Sequence, residues 1–86
     1  MKSFTDQYIQ RCDAGGSVHP VKGIPLETVD EKEVVEVIHD GWTWLFHVPQ
    51  EDHEEFCDWV WVEFGEIDTT DPQRIHVESY DGGGVQ

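Results

Sequence analysis

Positively charged side chains are scarce in this sequence. Its 86 residues include 5 Lys and Arg but 19 Asp and Glu, which gives a formal net charge of −14 at pH 7. No Lys or Arg occurs from residue 33 to residue 73. A chain with this charge repels nucleic acid and anionic lipid, because both are negative, and it attracts basic protein surfaces. We therefore expect neither direct nucleic-acid binding nor membrane binding, and we expect the partner to be a basic protein.

Cysteine and long apolar runs are also scarce. Cys12 and Cys57 are the two cysteines of the chain, and they permit one disulfide without requiring it. The N-terminal segment lacks the hydrophobic stretch of a secretory signal, and no apolar run approaches the roughly 18 residues of a membrane span. We expect a soluble cytoplasmic protein with reduced thiols.

Catalytic and metal-binding motifs are missing. His53 and Cys57 would share a helix face, but a structural zinc site needs four ligands, and the other candidates stand singly at Cys12, His19 and His76. Acidic neighbours disfavour a Cys57 thiolate, so the simpler interpretation is a buried Cys57 beside a solvent-facing His53. No phosphate-binding or calcium-binding loop is present. The sequence predicts a protein with no catalytic residues, no metal site and no cofactor.

Apolar side chains are numerous enough for a small core. They make up 37 % of the chain and include 4 Trp, 4 Phe and 2 Tyr, whereas a disordered acidic tail is poor in aromatic residues. A chain of 86 residues lies near the lower end of what folds on a single core. We predict one small α+β domain covering residues 1–86, with a flexible tail at residues 81–86.

The strongest local signal is an Asp-Gly pair at residues 40–41 between two β-rich runs. This arrangement is typical of a hairpin with a two-residue type I′ turn. In that register, one side of the hairpin is the candidate for the core face. The cross-strand pairs predicted on this face are His39 with Trp42, Val37 with Trp44, and Val35 with Phe46.

Weaker signals predict the remaining elements. Capping-box patterns favour an N-terminal helix over residues 3–13 and a short helix over residues 51–57, after the hairpin. Residues 58–65 alternate β-branched and aromatic side chains, which favours a strand; one continuous helix to Glu63 is the alternative. A short edge strand at residues 18–21 and a final strand at residues 74–80 would complete an antiparallel sheet of about four strands.

Acidic residues surround the Trp- and Val-rich run at the centre of residues 51–71. Neighbouring carboxylates lie about 5–6 Å apart on a helix face and about 6.6 Å apart along a strand, and duplex DNA carries a phosphate every ~3.4 Å of axis per strand. Acids with such a spacing can occupy a cleft built for nucleic acid. The predicted partner-binding residues are Glu51, Asp52, Glu54, Glu55, Asp58, Trp61, Glu63, Glu66, Asp68 and Asp71.

In size and composition the chain resembles the small acidic inhibitors of phages and mobile elements, which include anti-CRISPR, anti-restriction and other DNA-mimic proteins. The charge pattern and this resemblance predict a non-enzymatic inhibitor that blocks a basic nucleic-acid-handling protein by mimicking nucleic-acid charge. Two alternatives stay open. One is an immunity protein or antitoxin that neutralises a basic nuclease toxin, and the other is an acid-rich domain of a halophile whose charges hold hydration water.

Overall fold

A computed structural model describes residues 3–78, and the tail expected at residues 81–86 lies outside them. One α-helix packs on a mixed five-stranded sheet, so the predicted α+β class is confirmed. Short 3₁₀ turns at Thr5–Gln7, Leu26–Thr28, Glu31–Glu33 and Gln50–Asp52 precede or connect these elements. In chain order the elements are β1 (Tyr8–Cys12), β2 (Val18–Pro20), β3 (Val34–His39), β4 (Trp42–His47), α1 (His53–Glu63) and β5 (Arg74–His76).

The central hairpin of β3 and β4 forms as predicted. Asp40 has a φ of 55° and Gly41 a φ of 84°, and a type I′ turn needs positive φ at both central residues. The observed register contains the three predicted cross-strand pairs. Val35, Val37 and Phe46 are buried, which confirms the predicted core face.

The prediction of an N-terminal helix over residues 3–13 is wrong. The segment forms only the short turn Thr5–Gln7, whose N-cap residue is Phe4 and makes no side-chain capping bond, and β1 then pairs antiparallel with both β2 and β4. A helix of about ten residues is marginal by itself, whereas a strand between two partners has its backbone groups satisfied on both sides. The edge strand expected at residues 18–21 is confirmed as β2.

The prediction of a strand at residues 58–65 is also wrong, and the helix is longer than residues 51–57. The alternative of one continuous helix to Glu63 is the observed one, because α1 runs from His53 to Glu63. Phe56, Trp59 and Val60 are buried against the sheet, and their spacing of three and four residues is the helical one. Tertiary packing therefore overrides the β-preference of this segment.

The sheet differs from the antiparallel, four-stranded one that was expected. Its strand order is β2-β1-β4-β3-β5, and β5 runs parallel to β3 while every other pair is antiparallel. This topology follows from α1, which carries the chain from β4 across the sheet before β5 adds to the outer edge of β3. Of the strand predicted at 74–80, β5 occupies Arg74–His76, residues 77–78 follow it, and residues 79–80 lie outside the described part of the chain.

The core lies between α1 and the sheet. Phe4, just before the first turn, packs edge-on against Phe56 and Trp59 with ring centroids 5.1 and 5.8 Å apart. Val48, Ile75 and Val77 join the central strands of the hairpin in the same cluster. Within residues 3–78, no helix has the length and apolar character that crossing a bilayer requires.

Candidate functional site

The outward side of α1 collects half of the acidic and aromatic residues predicted for partner binding. Residues three and four apart share a helix face, and the set begins one turn before α1. All of its members are exposed, on the side opposite the buried residues of the helix. We name this stripe the acidic helix face, and it consists of Glu51, Glu54, Glu55, Asp58 and Trp61.

One end of the acidic helix face is apolar. Trp61 is 53 % exposed and its neighbour Val62 is 65 % exposed. Full burial of an apolar side chain of this kind stabilises by about 1.5–3 kcal/mol, and an indole can also stack with Arg or Lys. The stripe thus combines a group that gains from losing water with charges that favour a cationic partner.

Within residues 3–78, no Lys, Arg or His side chain neutralises these carboxylates. The carboxylates there that lie within 4 Å of a basic side chain are Asp13, 3.3 Å from His19, and Glu33, 3.0 Å from His47. Neither pair includes a residue of the acidic helix face. Its negative charge is therefore available to a partner.

The other predicted residues do not share this face. Asp52 is half-buried, and Glu63 is exposed where α1 ends. Glu66 and Asp68 are exposed in the segment between α1 and β5. Asp71 lines a cavity of about 720 Å³ with residues of β3 and β5. The predicted set is thus divided among several parts of the surface.

The cavity lined by Asp71 lies on the face of the sheet opposite α1, and we name it the far-side cavity. Val34, Glu36 and Arg74 line it, and these residues alternate with the buried Val35, Val37 and Ile75 along their strands. Its wall is stabilised by the amide of Gln73, which donates to the carbonyls of Glu31 and Val34 at 2.6 and 3.0 Å. Three further acids are among the lining residues, namely Glu27, Glu31 and Asp71. Acidic charge therefore occurs on both sides of the sheet.

A closed ring of five aromatic side chains stands between the sheet and the end of α1. Neighbouring ring centroids around it are 5.2 to 6.0 Å apart, and each ring contacts the next. The ring bounds a cavity of about 240 Å³, whose lining also includes Thr5 and Glu63. We name this ring the aromatic cage; in order around the cavity it consists of Tyr8, Phe46, Trp59, Phe64 and Trp44.

Arg11 lies beside the aromatic cage without lining its cavity. Its guanidinium carbon is 4.5 Å from the ring centroid of Trp42 and 5.5 Å from that of Trp44, within the distance at which a cation is attracted to an indole face. Burial raises the pKa of the Tyr8 hydroxyl, and the charge of Arg11 opposes this shift. The outside of the cage thus already binds one cation.

Two polar atoms on the aromatic cage have no hydrogen-bond partner within residues 3–78. They are the hydroxyl of Tyr8 and the indole nitrogen of Trp44, and both are buried. A buried donor without a partner costs about 1–3 kcal/mol. The five rings therefore pack together despite the free-energy cost of these two unpaired polar atoms.

The aromatic cage was not predicted from the sequence. Trp44 and Phe46 were assigned to the core face of the hairpin, but Tyr8 was placed in a helix and Trp59 and Phe64 in a strand. The signal that could have found the cage is the helical alternative for residues 53–63, since it turns Trp59 toward the hairpin. The cage needs that register and the pairing of β1 with β4 together.

The cysteines and histidines form no metal-binding group in the described part of the chain. Cys12 and Cys57 are free, and no group of three His, Cys, Asp or Glu side chains there could hold a metal ion. Burial raises the pKa of the Cys57 thiol, and the charges of Asp58 and Glu54 raise it further. His53 differs from the solvent-facing residue that was expected, because it is half-buried and its Nε2 lies 2.9 Å from the carbonyl of Val48.

Comparisons with protein-family models, with curated proteins and with solved structures found no match to this chain.

Proposed function

We propose that this protein is a non-enzymatic inhibitor that docks through the acidic helix face on the nucleic-acid-binding cleft of a basic protein. The observation that carries the proposal is the stripe itself: four exposed carboxylates and an exposed indole on one side of α1 and the turn before it, with no cation from residues 3–78 paired to them. Charge complementarity would steer a basic partner to this side and make association fast.

The spacing of the stripe supports nucleic-acid mimicry. Glu51 lies in the 3₁₀ turn before α1, so the seven residues from Glu51 to Asp58 advance about 11–12 Å, at about 2 Å per residue in the turn and about 1.5 Å per residue in the helix. Four phosphates of one DNA strand span three steps, or about 10 Å of the duplex axis. The charge per unit length on this side of α1 is therefore close to that of one nucleic-acid strand.

The test compares two variants of equal net charge. One replaces Glu51, Glu54, Glu55 and Asp58 by their amides, and the matched control does the same to Glu27, Glu31, Glu36 and Asp71 around the far-side cavity. Wild-type protein serves as bait for basic proteins at low salt, and each captured protein is then assayed for binding to labelled nucleic acid. We expect wild type and the control to inhibit that binding and the helix-face variant to lose the effect.

Two results would contradict the proposal. Equal loss in both variants would show that only net charge matters, and captured proteins that still bind nucleic acid would show that no inhibition occurs. Affinity should also fall at least tenfold between about 50 and about 500 mM salt, because exposed charges are screened. Capture of a nuclease toxin would indicate an immunity protein or antitoxin that uses the same face.

A second candidate is favoured by the acids around the far-side cavity. Acidic charge on both sides of the sheet is also what a halophile domain would use to hold hydration water in strong salt. Such a protein should unfold as salt is lowered, because screening no longer offsets its self-repulsion. An inhibitor should stay folded, and circular dichroism across a salt series separates the two.

A further inference from the structure

The aromatic cage is independent of the acidic helix face, because Trp59 and Phe64 lie on the sheet side of α1 or at its end. All five of its rings line the cavity. For a regular pentagon with sides of about 5.6 Å the centre is about 4.8 Å from each corner, within the ~6 Å over which a ring attracts a cation. Within the described residues, the ring pairs of the cage that lie close together are all neighbours around it, so the space at its centre is not filled by the five side chains themselves.

The size of the cavity indicates the size of its ligand. Its volume of about 240 Å³ is below the ~300–1,000 Å³ of pockets that enclose a whole drug-sized molecule. Neighbouring rings are inclined to each other by 30° to 76°, so the wall is curved and offers no flat slot. A single rounded head group suits this space better than a planar one.

The charge of the cavity favours a cation. Aromatic faces carry negative potential, and the charged side chain among the lining residues is that of Glu63. Arg11 shows that an indole face of this cluster already binds a cation. It also sets a limit, because its positive charge opposes a second cation near Trp44.

Hydrogen-bonding capacity separates the possible cations. An ammonium has three N–H donors and a guanidinium has five, while the lining offers side-chain acceptors at Thr5, Tyr8 and Glu63 alone. A donor that enters without a partner loses the hydrogen bonds it made to water. A quaternary ammonium has no N–H group, so it enters without that loss. We propose that the aromatic cage binds a quaternary ammonium group, with Glu63 as the counter-charge at its rim.

The first experiment needs no variant. Tetramethylammonium chloride is titrated into the protein, and the indole N–H signals of the four Trp are followed by NMR. Sodium chloride at equal ionic strength is the salt control, and 3,3-dimethylbutan-1-ol, an uncharged molecule with the same branched head as choline, is the control for shape. We expect the signals of Trp44 and Trp59 to move with a Kd of about 1 mM, and that of Trp61 to stay.

The result that would overturn the proposal is equally specific. It is an equal response to the uncharged alcohol, a response shared by Trp61, or no response of Trp44 and Trp59 beyond that to sodium chloride. The first outcome would make the cage a plain apolar cavity, and the second would mean unspecific attraction of cations to an acidic protein.

A pair of variants then tests the role of Glu63. Glu63→Gln removes the charge at the rim of the cage, and Glu55→Gln removes an equal charge from the outer side of the same helix. Both side chains are exposed, so both variants should fold, which circular dichroism confirms. We expect Glu63→Gln to weaken tetramethylammonium binding at least threefold and Glu55→Gln to leave it unchanged; equal effects would reject Glu63 as the counter-charge.

Two ligands distinguish the possible sources of a quaternary ammonium group. Choline represents a free small molecule, and a short peptide with a trimethyl-lysine represents a protein partner. Binding of choline with a Kd like that of tetramethylammonium supports a solute site, and tighter binding of the peptide than of its unmethylated form supports a protein partner. Failure of both, together with failure of tetramethylammonium, ends the proposal and leaves the inhibitor proposal intact.

Discussion

Trp59 and Trp61 are two residues apart on α1 and have opposite surroundings. Trp59 is 8 % exposed and Trp61 is 53 % exposed. The ring of Trp59 lies 5.5 to 6.0 Å from those of Phe4, Phe46, Phe56 and Phe64, whereas Trp61 stands among carboxylates. The comparison shows that the inner side of α1 holds the fold, while its outer side does not contribute to the core and is the side that we propose for binding.

The largest expected effect comes from removing each indole in turn. Trp59→Ala should lower the free energy of unfolding by about 3–5 kcal/mol, because it deletes a large buried side chain and leaves a cavity. A domain of this size is stabilised by about 4–13 kcal/mol in total, so the loss is a large share. The measurement is the midpoint of urea denaturation, followed by far-UV circular dichroism.

Trp61→Ala is the matched control for that change. It should alter the free energy of unfolding by no more than about 0.5 kcal/mol, as is usual for exposed positions, and it should weaken partner binding. Similar destabilisation by the two substitutions would contradict the division of α1 into two sides.

The contrast between two segments shows how far the fold could be predicted. The hairpin was predicted with its register because its information is local: an Asp-Gly turn fixes the pairing of the strands beside it. Residues 58–65 were misassigned because their β-preference is local while the packing of Phe56, Trp59 and Val60 is not. β1 was missed for the same reason, since its partners in β4 lie more than thirty residues away in the chain.

The candidate site was likewise predictable only where the information for it is local in the sequence. The acids at residues 51–58 were identified from composition, but their common face with Trp61 became visible only once the segment was helical. Asp71 was grouped with them by sequence, and the far-side cavity shows that closeness in the chain did not mean closeness in space. The aromatic cage combines β1, β4 and α1, so no single stretch of sequence contains it.

Cys57 lies between the buried side and the acidic side of α1, and the pKa of its thiol is affected by both. Burial raises its pKa first, and Asp58 and Glu54 raise it further, so less thiolate is present at a given pH. We expect alkylation of Cys57 by iodoacetamide at pH 8 to be several-fold slower in the folded chain than in urea. The rise of the rate with pH should also be displaced upward.

The sign of the linked stability effect follows from the same shift. As pH rises through the ordinary thiol pKa, the unfolded chain loses the Cys57 proton first, so the free energy of unfolding falls with increasing pH. Cys12→Ser provides a background in which Cys57 is the single thiol. Equal alkylation rates in the folded and unfolded states would show that neither burial nor the acidic helix face acts on this residue.

The smallest expected effect tests whether the outer side of α1 gives up stability for binding. Glu54 and Asp58 are four residues apart on a helix, where like charges repel by about 0.2–0.5 kcal/mol. Asp58→Lys removes that repulsion and creates a Glu-to-Lys pair in the favourable orientation, so it should raise the free energy of unfolding by about 0.5–1 kcal/mol at low salt. The gain should fade near 1 M salt, where charges are screened within about 3 Å.

Glu27→Lys, on an exposed turn, is the control with the same change in net charge. If Asp58→Lys raises the free energy of unfolding no more than Glu27→Lys does, then both substitutions act by reducing the overall charge repulsion, and the position of residue 58 on α1 does not matter. If it gains more, and also speeds alkylation of Cys57 while weakening partner binding, then the carboxylate at position 58 destabilises the helix that displays it. A charge kept at such a position is best explained by what it binds, because the fold itself would be more stable without it.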